Sequence, residues 1–158
     1  MEKDNNYLRG LEDFTVGQEY QHYPSKTVTE SDNNLFCLLT WNHHPIHSDI
    51  EFAKDSQHQR RLVVGTYVFS LVVGMSVPQI SGAAIANLEY EKISHHQPVF
   101  IGDTINARSK ILDIIPSDRK PDRGVLYVET IAYNQHNEKV LTLRRRVLLP
   151  YKNTPSEP

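Results

Sequence analysis

The sequence has only one cysteine, Cys37, so no internal disulfide can form, and the chain reads as one suited to a reducing cytoplasm. It has no excess of either charge. The net charge of -2 gives neither the basic stripe of a nucleic-acid binder nor the acidic block of a solvating tail. The longest apolar run, residues 62–77, is interrupted by Gly65, Thr66, Ser70, Gly74 and Ser76. A membrane-spanning helix needs about 20 apolar residues, so this run belongs inside a protein. The opening M-E-K-D-N-N-Y-L-R-G lacks the apolar core of a signal peptide. No repeat, low-complexity block or linker divides the chain. What remains is an ordinary globular composition of 158 residues, 39% apolar and 23% charged, enough for one domain with a sizeable core. That domain is expected over residues 1–150, with residues 151–158 a polar tail that frays.

Local signals then place the elements. In T-E-S-D, Thr29 can cap a helix and Glu30 and Asp32 suit its positive end, so a helix should run from there to about Thr40. A short helix is expected over residues 49–54, capped by Asp49. Residues 65–77 are apolar on every side and rich in valine. Valine favours strand, but the length favours a buried helix, opened by Gly65 and ended by Pro78. Residues 18–27 read as an edge strand. Residues 83–93, 103–114, 124–133 and 140–149 read as strands of a mostly antiparallel meander, with a strand-entry turn at Gly102-Asp103. The only dense cationic cluster, Arg144, Arg145 and Arg146, lies in the last strand and should point to both of its faces. A sheet curled round one buried helix is an α+β arrangement of the hotdog kind. A single such unit leaves its helix and one sheet edge partly uncovered, so a homodimer or a dimer of dimers is expected.

The stretch richest in chemistry is T-W-N-H-H-P-I-H-S-D, residues 40–49, with three histidines, a proline and the single tryptophan. A metal site would need His43, His44 and His47 to converge with Asp49. Neither a cysteine pair nor H-E-x-x-H spacing supports this, and Pro45 should keep the adjacent histidines apart. A polar loop of solvated histidines is the plain alternative. A catalytic loop is the third reading, since an imidazole can give or take a proton near neutral pH. His95 and His96 read as surface residues at a strand end.

The segments L-E-D-F-T-V-G-Q-E-Y, K-T-V-T-E-S-D-N, P-I-H-S-D-I-E-F-A, L-V-V-G-T and P-V-F-I-G-D-T-I follow one another through residues 11–149. In that order they resemble the MaoC-like hydratases and dehydratases. The resemblance implies a hotdog fold and reversible addition of water to an enoyl thioester of coenzyme A or acyl carrier protein. It implies no metal, no other cofactor, no nucleic acid and no membrane. A hotdog thioesterase and a non-catalytic acyl-thioester-binding protein are the alternatives. In the family an aspartate lies five residues before a histidine, as in D-x-N-P-x-H, and the two side chains position the water. Here His47 takes the histidine place, Pro45 the proline and His44 the asparagine, while Asn42 stands where the aspartate would be. An asparagine there, in T-x-N-x-x-P-x-H-x-D, together with K-P-D-R-G near residue 122, is similar to the mesaconyl-coenzyme A hydratase (β-methylmalyl-coenzyme A dehydratase) branch. By this mapping His47 and Asn42 are catalytic and Gly65 supplies an oxyanion hole. Trp41, His44 and Val64, which replaces a histidine before that glycine, line the acyl pocket.

Overall fold

The computed structural model describes residues 6–153. Its first α-helix starts where local chemistry requires. Thr29 Oγ1 accepts from the Asp32 N–H at 3.2 Å and Asp32 Oδ2 accepts from the Thr29 N–H at 2.8 Å, a reciprocal cap on α1 (Glu30–Thr40). The helix closes on Trp41, left-handed at φ 61°, whose N–H reaches the Cys37 carbonyl. Pro45 does more than break the chain. It opens a one-turn helix, α2 (Pro45–Ser48), because its fixed φ and missing N–H suit a first helical position. Asp49 caps α3 (Ile50–Lys54), accepting from the Phe52 N–H at 3.0 Å.

The valine-rich run is helical, as its length predicts: α4 (Gly65–Ser76). It is not buried on every side. Val68, Val72 and Ser76, four residues apart, form one buried stripe, while Thr66, Ser70 and Gly74 are exposed. Nor does Pro78 end the helical path. A π-turn (Val77–Ser81) carries it on, with Pro78 in the opening turn of that winding, where a missing N–H costs little.

The strands are β1 (Glu19–Gln21), β2 (Lys26–Thr27), β3 (Ala86–His95), β4 (Thr104–Pro116), β5 (Arg123–Tyr133) and β6 (Lys139–Pro150). The edge strand expected over residues 18–27 is two short pieces either side of a cis Tyr23–Pro24 bond, both paired with β4. The sheet order is β1-β4-β5-β6-β3, with antiparallel pairing throughout. So β4, β5 and β6 form the meander, but β3 lies on the far edge beside β6 instead of next to β4. Gly102, at φ 96°, makes the turn into β4.

Alternation decides which side chains meet α4. Ile105 and Ala107 of β4, Ala132 of β5, and Leu141 and Leu143 of β6 pack with Val68 and Val72 into one core. Leu126 and Val128 of β5, with Val147 and Leu149 of β6, pack under Leu11, Phe14 and Ile80 into a second. The arginine cluster splits between faces as period two requires. Arg144 and Arg146 turn outward to Glu129 and to Glu89 and Glu91. Arg145 turns inward and is fully buried, donating to Asn87 Oδ1 and to the Ser76 and Ser81 hydroxyls at the carboxyl end of α4, where a positive charge is favoured. After β6, Tyr151 packs on the second core and the Lys152 N–H donates to Glu12. Residues 154–158 of the expected polar tail lie outside the described residues. Among the described residues no helix is long and apolar enough to cross a membrane.

Candidate active site

His47 sits on the single turn of α2, and three hydrogen bonds fix where it points. Its Nδ1 lies 2.9 Å from the Leu62 carbonyl oxygen, which can only accept, so Nδ1 carries the proton and Nε2 holds a free lone pair. The Leu62 N–H returns a bond to the Ile46 carbonyl at 3.1 Å. Behind them Asn33, fully buried on α1, donates through Nδ2 to the His47 carbonyl at 2.9 Å and accepts at Oδ1 from the Val64 N–H at 3.0 Å. One amide thus holds both the histidine turn and the residue before Gly65.

Beside His47 opens a cleft of about 400 Å³, lined by His47, His58, Leu62, Val63, Gly65, Val68 and residues 95–99. Four of the chain's eight histidines (His47, His58, His95 and His96) face it, and among the described residues no acidic side chain does. Gly65 is the first residue of α4, and Val64 before it offers no side-chain cap, so the opening N–H groups of the helix are left for a ligand or water. A Cβ at position 65 would lie 3.2 Å from His95 Cε1 and 3.3 Å from its Nε2, closer than side chains usually pack. Glycine is therefore the residue that lets an imidazole lie over the helix start. Burial, and then the neighbouring His96, hold the His95 pKa below the usual histidine value, so the neutral ring is favoured.

The structure brings together His47 and Gly65 of the mapped residues and sets the others apart. Asn42 is half-buried, and its Oδ1 accepts from the His44 N–H at 3.4 Å, so the amide closes its own loop and does not line the cleft. His44 caps α2, its Nδ1 accepting from the Ile46 N–H at 3.1 Å, and its ring lies 6.2 Å from that of His47. Trp41 is 84% exposed and touches His43 edge-on instead of lining a pocket. Val64 is turned into the interior, at 2% exposure. Among the described residues no three His, Cys, Asp or Glu side chains are placed to share a metal ion. Sequence reasoning passed over His58 and Asn33, whereas His95 and His96, expected at the surface, are indeed exposed and at the same time line the cleft. For Asn33 a signal existed, since an amide four residues before buried Cys37 shares its inward face. For His95 none did, because its neighbour Gly65 is thirty positions away.

The model of the MaoC like domain matches residues 13–134. The chain belongs to that family. MaoC-like relatives include a beta-methylmalyl-CoA dehydratase from Chloroflexus aurantiacus, 34% identical over 94% of this chain. The chain spans 42% of that relative's length. An (R)-specific enoyl-CoA hydratase from Rhodospirillum rubrum is 29% identical over 75% of this chain and 81% of its own. A Mycobacterium tuberculosis protein solved with a double hotdog fold superposes with a TM-score of 0.85 over 96% of this chain and 46% of that one, at 18% identity. This MaoC-like chain is thus a single hotdog unit, its antiparallel sheet curved round α4.

Proposed function

We propose that the protein is a hydro-lyase that adds water reversibly across the double bond of an enoyl-coenzyme A. The observation that carries this reading is the fixed tautomer of His47, whose basic Nε2 is left free beside a cleft that also reaches the uncapped start of α4. In the forward direction Nε2 takes a proton from water and the hydroxide oxygen bonds to Cβ of the enoyl group. The electron pair of the double bond moves onto the thioester oxygen, which the Gly65 N–H stabilises. The imidazolium then returns its proton to Cα, and both groups end as they began. The names of the relatives support an acyl-coenzyme A substrate. Asn42, held in its own loop, shapes the approach to His47 instead of taking a proton, which an amide cannot do. The buried thiol of Cys37 accords with a cytoplasmic setting.

The same reading includes a homodimer. β3 is a sheet edge whose Leu88, Tyr90 and Ile93 are exposed, and joining two such edges would also cover the open side of α4. Light scattering should give twice 18.2 kDa. A monomer mass at working concentration would count against it.

Crotonyl-coenzyme A separates the function readings. Hydration removes the enoyl absorbance without releasing thiol. A thioesterase would release thiol, and a binding protein would change neither signal.

A further inference from the structure

The cleft holds a side chain whose position the acid–base role of His47 does not explain. His95, the last residue of β3, lies across the amino end of α4, with Cε1 and Nε2 its nearest atoms to position 65. Its ring has no hydrogen-bond partner among the described residues, unlike His47, tied to Leu62, His44, tied to Ile46, and His96, tied to Thr142. A ring left free at the mouth of a cleft, in contact with the residue whose N–H opens a helix, shares that residue's target.

We infer that His95 is the second hydrogen-bond donor to the thioester oxygen, acting together with the Gly65 N–H as negative charge gathers there during water addition. This rests on the hydratase reading. One backbone N–H offers the developing oxyanion a single bond, and a neutral imidazole N–H on its other side supplies another. The conditions that favour the neutral ring also suit this task. Desolvation and the neighbouring His96 both oppose protonation, so the ring donates without carrying a charge into the site. His47 and His95 then divide the work. The first moves the proton and the second holds the oxygen.

The test compares the parent with His95→Phe, which fills the space without a donor, and His95→Gln, which keeps an N–H near the place of Nε2. Crotonyl- and mesaconyl-coenzyme A serve as probes, with kcat and KM measured separately. Removing one oxyanion donor should lower kcat about 10²- to 10³-fold while KM changes only a few-fold. His95→Gln should recover at least about a tenth of the parent kcat, which a mere loss of packing would not predict, and both variants should melt near the parent. His95→Phe with kcat within about three-fold of an active parent would overturn this assignment alone. So would a loss that His95→Gln does not repair. A parent that hydrates neither probe would remove the hydratase reading, and this inference with it.

Discussion

Asn33 and His47, fourteen residues apart, are joined by a bond from the buried Asn33 amide to the His47 carbonyl oxygen at 2.9 Å. The other end of the amide holds the Val64 N–H. Removing it strands a carbonyl and an N–H away from water, each costing about 1–3 kcal/mol. Asn33→Ala should therefore lose about 2–6 kcal/mol of stability by urea unfolding and a large part of kcat, since base and helix start lose a shared anchor. Unchanged turnover in a destabilised protein would show that the amide serves the fold alone.

His47 itself is only half-buried, and its one side-chain bond is to the Leu62 carbonyl. His47→Ala should remove about 10²- to 10⁴-fold of the hydratase rate, the range for a lost general acid or base. Its unfolding free energy should stay within about 1–2 kcal/mol of the parent. Near-native turnover by the alanine variant would end the assignment.

At position 42, Asn42→Asp keeps an oxygen for the His44 N–H and so should fold like the parent. A new carboxylate in the His47 loop favours the charged imidazolium and raises the histidine pKa. The base works only when unprotonated, so the acid limb of the pH–rate profile should move to higher pH, with modest change in peak rate. An unmoved limb would show that position 42 is electrically uncoupled from His47.

A pH effect on stability comes from the far end of α4. His22 is buried between Gln79 and Ser109. Burial is the main cause of a pKa pushed down to about 4, which the Gln79 bond opposes and the charge of Arg145 reinforces. The unfolded chain therefore binds a proton between about pH 6.5 and 4 that the native state refuses. Stability is full above that window and falls by about 3 kcal/mol as pH drops through it. Urea melts at pH 7.5 and 4.5 should show the slope, and His22→Gln should flatten it. Equal slopes in both proteins would place the titrating group elsewhere.

What the sequence disclosed follows the range of the interaction concerned. The Thr29 and Asp49 caps act within four residues and were legible, as was the split of Arg144, Arg145 and Arg146 between the two faces of an alternating strand. The place of β3 beside β6 depends on partners 46 to 62 residues away, and simple alternation cannot choose between neighbours. Pro78 misled because its cost depends on whether its N–H is needed, which the π-turn decides. Val64 was expected in the pocket by analogy with a histidine. The Val64 N–H bond to Asn33 fixes the backbone there, and an apolar side chain at that point goes to the core. His47 was singled out because a proline and a cluster of histidines mark its turn and the family resemblance maps a histidine there. His95 became visible only when the fold laid it over Gly65.

The most direct measurement of the central claim is the fate of solvent oxygen. The protein is incubated with crotonyl- or mesaconyl-coenzyme A in ¹⁸O-water, and the products are read by mass spectrometry. A hydratase working through His47 should place the heavy oxygen in a 3-hydroxyl group of an intact thioester, and His47→Ala should abolish that label. Heavy oxygen in a free carboxylate beside released coenzyme A, or none in any product, would contradict the account.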